Sequence, residues 1–295
     1  MRRGFLVGAP ALLLATGCGL DFDSSTREWD ARFGVEGSLD LYVPRGGSSD
    51  RPAVLMLHHG GWTAGDKSTL SAQAQRLARA GFVVGNANYR LAPKSLFPAS
   101  AHDARCALSF MRAHAAELHL DPNRVALLGY SAGANLAELV GLSASLPGPP
   151  SDCPSGPTGA PAGVVAGAGP VDLLHLSGLG DSELARYLGV SKEEGPALWE
   201  AASPLRRVTA GTPPFLLVHG TGDAYVPSGQ VVEFREALAA RGNDVELLLL
   251  EGSGHTANPG ADPGSGHFGD LVIDAPEAWP VLISFLHRTL GAPAP

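Results

Sequence analysis

A serine between two glycines is the first feature of this chain that could do chemistry. Gly129, Ser131 and Gly133 in "LLGYSAGANLAELVGL" fit G-x-S-x-G, in which small neighbours permit a turn sharp enough to expose a hydroxyl at a strand end. An alcohol at neutral pH is a poor nucleophile. It needs a general base, an acid that orients the base, and donors for the oxyanion formed on attack. The motif is short, and most serines are solvated hydroxyls or caps, so those helpers decide what Ser131 does.

Each helper has a candidate. Asp223 follows the apolar run "PPFLLVHG" in "LVHGTGDAYVP", where a buried carboxylate could orient an imidazole. An aspartate after glycine also makes turns and caps helices, and Asp172 in "GPVDLL" is the substitute. His255 comes directly after the last apolar run, in "LLLLEGSGH", and His267 lies further along the same glycine-rich loop. The short tether favours His255, while the loop leaves His267 open. Gly60 and Gly61 in "LHHGGWTAGDK", with the N–H of Ala132, are the candidate oxyanion donors. His58 and His59 are read as structural, holding that loop.

These residues need elements to position them. Apolar runs predict strands over Glu36–Pro44, Arg51–His59, Gly81–Leu91, Val125–Leu128, Ala162–Gly169, Pro213–Gly220 and Asp244–Gly252. Helical spacing falls over Thr69–Arg79, Pro98–Leu118, the segment after Ser131, Gly229–Gly242 and Glu277–Gly291. Strands alternating with helices predict an α/β fold with a mostly parallel, twisted sheet covered on both faces and a site beyond the carboxyl ends of the strands. The proline- and glycine-rich stretch Ser145–Gly163 reads as a loop.

With 295 residues, 44% hydrophobic and 17% charged, the chain can bury a large core. A net charge of −8 offers no basic face, so nucleic acid is not an expected partner. No cysteine or histidine cluster has zinc spacing, and the chemistry asks for no metal or cofactor. Arg2 and Arg3 precede an apolar segment of about 14 residues, too short to span a membrane and suited to a signal peptide over residues 1–17. "RRGFL" is similar to a twin-arginine export pattern, and "LATGC" to a lipoprotein box with Cys18 as the lipidated residue. An ordinary secretory signal is the alternative. Residues 18–30 read as a leader and 31–295 as the folded domain. Export would bring Cys106 and Cys153 to an oxidising compartment where they could pair.

The segments "LDLYVP", "HHGGWTAGDK", "YRLAPKSLFPA", "DPNRVALLGYSAGANLA", "ASPL", "PPFLLVHGTGDAYVP" and "LEGSGH" stand in family order from about Leu39 onward. Together they resemble bacterial esterases of the α/β-hydrolase fold, close to the hormone-sensitive-lipase and BD-FAE (feruloyl and acetyl-xylan esterase-like) group. The resemblance implies Ser131, Asp223 and His255 as the triad, Gly60, Gly61 and Ala132 as oxyanion donors, and a small or absent cap drawn from Leu173–Ala202. One departure is His59, which stands where the first glycine of H-G-G-G-W belongs. The implied activity is hydrolysis of small acyl or polysaccharide-linked esters through an acyl-enzyme. A peptidase, amidase or formamidase on the same triad is the alternative reaction; a silent ligand-binding protein or a lipid-anchored structural partner is the alternative from other classes.

Overall fold

The computed structural model describes residues 22–28, 38–46, 50–142, 153, 155–156, 159–177, 180–256 and 271–292. The expected signal peptide, Cys18 and His267 lie outside these residues. Eight strands form one sheet: β1 (Phe22–Glu28), β2 (Ser38–Pro44), β3 (Arg51–Leu57), β4 (Val83–Ala87), β5 (Leu120–Tyr130), β6 (Val164–Gly167), β7 (Phe215–Gly220) and β8 (Val245–Leu250). Their spatial order is β1-β2-β4-β3-β5-β6-β7-β8. The first two pairings, β1 with β2 and β2 with β4, are antiparallel, and every later one is parallel.

Burial explains why the sequence forms these strands. Every residue of β3, β4, β6 and β7 is buried, the pattern of strands covered on both faces. Side chains alternate between two cores: Ala53, Leu55 and Leu57 face one, Val54 and Met56 the other. The first core is filled by helices α2 (Ala99–Ala113), α3 (Ala132–Gly141) and α6 (Gly229–Ala240). The second is filled by α1 (Ser71–Arg79) and α7 (Ala278–Leu290). From β3 the chain moves outward to β4, then returns past β3 to β5 and continues the other way. The loops after β3 and β5 therefore meet at a topological switch point, where open α/β sheets bind ligands. This is the α/β-hydrolase fold.

Several boundaries differ from expectation. Residues 22–28, read as leader, form the edge strand β1, paired from Phe22–Pro44 to Glu28–Ser38; "FDSSTRE" has no apolar alternation to announce it. The helix expected over 98–118 ends at Ala113, and β5 is longer than the expected Val125–Leu128. Between β6 and β7 lie two short helices, α4 (Asp181–Leu188) and α5 (Pro196–Ala201), which form the small cap. Cys106 of α2 is bridged to Cys153. One and two turns further along α2, Ser109 Oγ donates to Gly156 O at 2.6 Å, and Arg112 donates to the carbonyls of Gly159 and Ala160, so one helix edge holds the described end of the proline-rich stretch.

Candidate active site

Ser131 sits between β5 and α3 with φ 53° and ψ −118°, a left-handed backbone region that costs a serine energy and persists only where its surroundings impose it. Two contacts impose it. The Ser131 N–H donates to Gly167 O on β6 at 2.8 Å. Gly133 lies so close to the end of β3 that a Cβ there would stand 2.1 Å from Leu57 O. Only glycine permits that approach, and the approach brings the serine beside the loop after β3.

His255 follows β8, and its Nε2 is 2.9 Å from Ser131 Oγ while its Nδ1 is 2.8 Å from Asp223 Oδ2. Asp223 lies beyond β7, and its Oδ1 accepts the N–H groups of Tyr225 and Val226 at 2.9 Å each. Burial alone would raise this carboxyl, but hydrogen bonds from His219 and His255, with Val226 N–H, hold it far below the usual carboxylate range. The result is an ionised acid, an imidazole and a hydroxyl in one hydrogen-bonded row. Such a row can draw a proton from an alcohol.

The loop after β3 is built around one conformation. Gly60 has φ 124°, and a Cβ there would meet Ala64 O at 2.1 Å; its carbonyl accepts the N–H groups of Thr63 and Ala64. His58 Nδ1 bonds His59 O at 2.7 Å, its ring stacks on Tyr89 at 4.2 Å, and Tyr89 Oη donates to His58 O at 2.8 Å. Trp62 stacks at 4.3 Å on Tyr187 of α4, which fixes the cap against this loop. Arg90 forks onto Asp103 of α2 and so anchors the chain that leads to Ala92, whose N–H reaches Trp62 O at 2.9 Å. Ala132 opens α3, where a helix leaves its N–H without an internal acceptor.

His59, the departure from the glycine-rich pattern, is absent from the residues with positive φ, so this position tolerates a side chain. Its ring is buried edge-on to Tyr130 at 6.0 Å. Burial, with the nearby His58 and His255, lowers it to about 4.

Of the expected residues, Ser131, Asp223 and His255 come together. Asp172 does not join them: its Oδ2 is taken by Arg206 Nη2 at 2.6 Å and His175 Nδ1 at 2.8 Å, and Gln230 holds its backbone. Two residues escaped the sequence reading. His219, inside the β7 run, lies against Asp223, and Tyr130, the variable residue of the serine motif, donates to His255 O.

Several known esterases are similar to this chain. Esterase LipC of Mycobacterium tuberculosis is 32% identical over 214 residues, covering 69% of this chain and 52% of that protein. Isoprenylcysteine alpha-carbonyl methylesterase ICME of Arabidopsis thaliana is 29% identical over 252 residues, covering 80% and 57%. The chain thus spans about half the length of these relatives. Among solved structures, Thermogutta terrifontis esterase 2 phosphonylated by sarin superposes with a TM-score of 0.73 at 26% identity, covering 92% of this chain and 96% of that one. The BD-FAE family pattern matches residues 39–238, at both ends of which the fold is continuous with the same sheet. By that match the chain belongs to the BD-FAE family.

Proposed function

We propose that this chain is a serine carboxylesterase acting through an acyl-enzyme on Ser131. The observation that carries the reading is the unbroken row from Asp223 Oδ2 through His255 to Ser131 Oγ, with spacings of 2.8 and 2.9 Å. His255 Nε2 takes the serine proton as Oγ attacks the ester carbonyl, and the anion is held by the N–H groups of Gly60, Gly61 and Ala132. His255 returns the proton to the leaving alcohol. Water then attacks the acyl carbon as its proton passes to His255, and His255 returns that proton to Ser131 Oγ as the acid leaves. No step calls for a cofactor.

The substrate class is small or carbohydrate-linked esters. Esterase relatives and a carbohydrate esterase among the structural neighbours support it, as does a cap of only two short helices. Amide hydrolysis on the same row is the second reading. The location is outside the cytoplasm, with Cys18 as a lipid anchor; the Cys106–Cys153 bridge supports an oxidising compartment, and "LATGC" supports the anchor.

The test is hydrolysis of p-nitrophenyl acetate against its matched anilide. Wild type is expected to cleave the ester, Ser131→Ala and His255→Ala to lose the activity, and His267→Ala to keep it. Anilide cleavage faster than ester cleavage moves the amidase reading ahead, and collapse of His267→Ala with an active His255→Ala reassigns the base.

A further inference from the structure

His219 is the penultimate residue of β7 and is fully buried, yet the three-residue row does not include it. Its Nε2 lies 2.7 Å from Val226 O and 3.3 Å from Asp223 Oδ2. A ring nitrogen facing two oxygens must carry the proton, so His219 is the Nε2–H tautomer. Its Nδ1 is buried and meets no hydrogen-bond partner among the described residues. An orphaned nitrogen lowers stability, and a leucine would fill the same space without it. Packing alone does not account for an imidazole here.

The carboxylate shows what the ring does. Asp223 Oδ1 takes two backbone N–H groups, from Tyr225 and Val226. Oδ2 takes two imidazoles, His255 at 2.8 Å and His219 at 3.3 Å. Rotation of the carboxyl would break contacts on both oxygens, and the same His219 proton also reaches Val226 O, which pins the turn that carries the acid. We propose that His219 is a positioning residue that, acting through Asp223, aims the carboxylate at His255 and limits the negative charge offered to that imidazole. The inference rests on the serine-hydrolase reading above.

Two effects of removing the N–H follow. The carboxylate loses a stop, so proton transfer from Ser131 slows. It also keeps more negative charge facing His255, so the acidic limb of the rate profile moves up. The other groups that face this pair are Ser131, His59, Tyr130 and Tyr225, and the substitution alters none of them.

The experiment measures two things against pH. One is the rate at which a p-nitrophenyl alkylphosphonate labels Ser131, which needs an activated serine but no ester turnover; the other is kcat and KM on p-nitrophenyl acetate. His219→Gln keeps an N–H near the Nε2 position and is expected to stay within about threefold of wild type. His219→Leu is expected to lose roughly ten- to a hundredfold in labelling and kcat, with KM nearly unchanged and the acidic limb raised. In an Asp223→Asn background the leucine should add no further loss. If His219→Leu does not fold, His219→Asn, whose amide stops short at the Nδ1 position, replaces it. Full activity and an unmoved limb in His219→Leu overturn the proposal, as does a loss additive with Asp223→Asn. A wild type that is labelled with these mutant effects but cleaves no ester overturns only the esterase reading.

Discussion

Tyr130 gives its hydroxyl proton to the main-chain carbonyl of His255, so the residue before the serine also holds the loop that carries the imidazole. The same oxygen lies 3.4 Å from the N–H of Val272, which approaches from beyond that loop. Burial pushes the phenol well above its ordinary range, so it remains a neutral donor. Tyr130→Phe keeps the ring between His59 and His255 and removes only the hydroxyl. The expected cost is about 1–2 kcal/mol of stability, because a carbonyl is left unpaired. A several-fold fall in kcat with little change in KM should accompany it. Urea unfolding and steady-state kinetics check this, and an unchanged kcat would mean that the loop holds His255 without Tyr130.

Asp223→Asn preserves size but replaces the acceptor facing His255 Nδ1 with an amide that can turn its NH₂ toward the ring. The imidazole would then present the wrong tautomer to Ser131, and turnover should fall by up to about 10⁴, as in serine proteases. Asp172→Asn should leave turnover near wild type, since Arg206 and His175 occupy that carboxylate away from the row. A loss under tenfold at Asp223 would contradict the assignment of the acid.

Much of this arrangement was legible in the sequence because parallel strands buried on both faces are continuous apolar runs, and the site residues follow them directly. "PAVLML", "VALLG" and "FLLVHG" announce β3, β5 and β7, and the motifs after them supply the loop glycines, Ser131 and Asp223. β1 was not legible, since an edge strand such as "FDSSTRE" needs no apolar face. Nor were contacts that depend on direction. His219 looked like one more strand residue until its Nε2 proved to face Asp223, and nothing in G-x-S-x-G says that Tyr130 reaches His255. Pairing of Cys106 with Cys153 required a distance that spacing does not give.

The Cys106–Cys153 bridge closes a loop of 47 residues in sequence separation. Constraining the unfolded chain over that length contributes at most about 4 kcal/mol in the chain-entropy account. Cys106→Ser with Cys153→Ser should therefore lower Tm by several degrees while leaving kcat on p-nitrophenyl acetate within about twofold, because neither cysteine touches Ser131, His255 or Asp223. Differential scanning calorimetry with and without reductant is the check: reductant should destabilise the wild type alone. A wild type insensitive to reductant under unfolding conditions would mean that the bridge does not form.

His59 makes stability depend on acid. Folding holds its imidazole at about 4, against about 6.5 for an unfolded histidine. Between those values the unfolded chain binds a proton that the folded chain does not, so stability rises with pH through the window and falls on acidification from 6.5 toward 4. The difference is about 2 kcal/mol at pH 5 relative to pH 7.5. Asp223 acts in a lower window, since a depressed carboxyl contributes its stability above about pH 4 and loses it only as pH falls toward the folded value. His59→Gln keeps a polar side chain of similar length that does not titrate. Urea unfolding at pH 7.5 and pH 5 should then show a smaller acid loss in the variant by about 2 kcal/mol. Equal losses in variant and wild type would place the acid sensitivity elsewhere, with His58, also lowered by burial, as the next residue to replace.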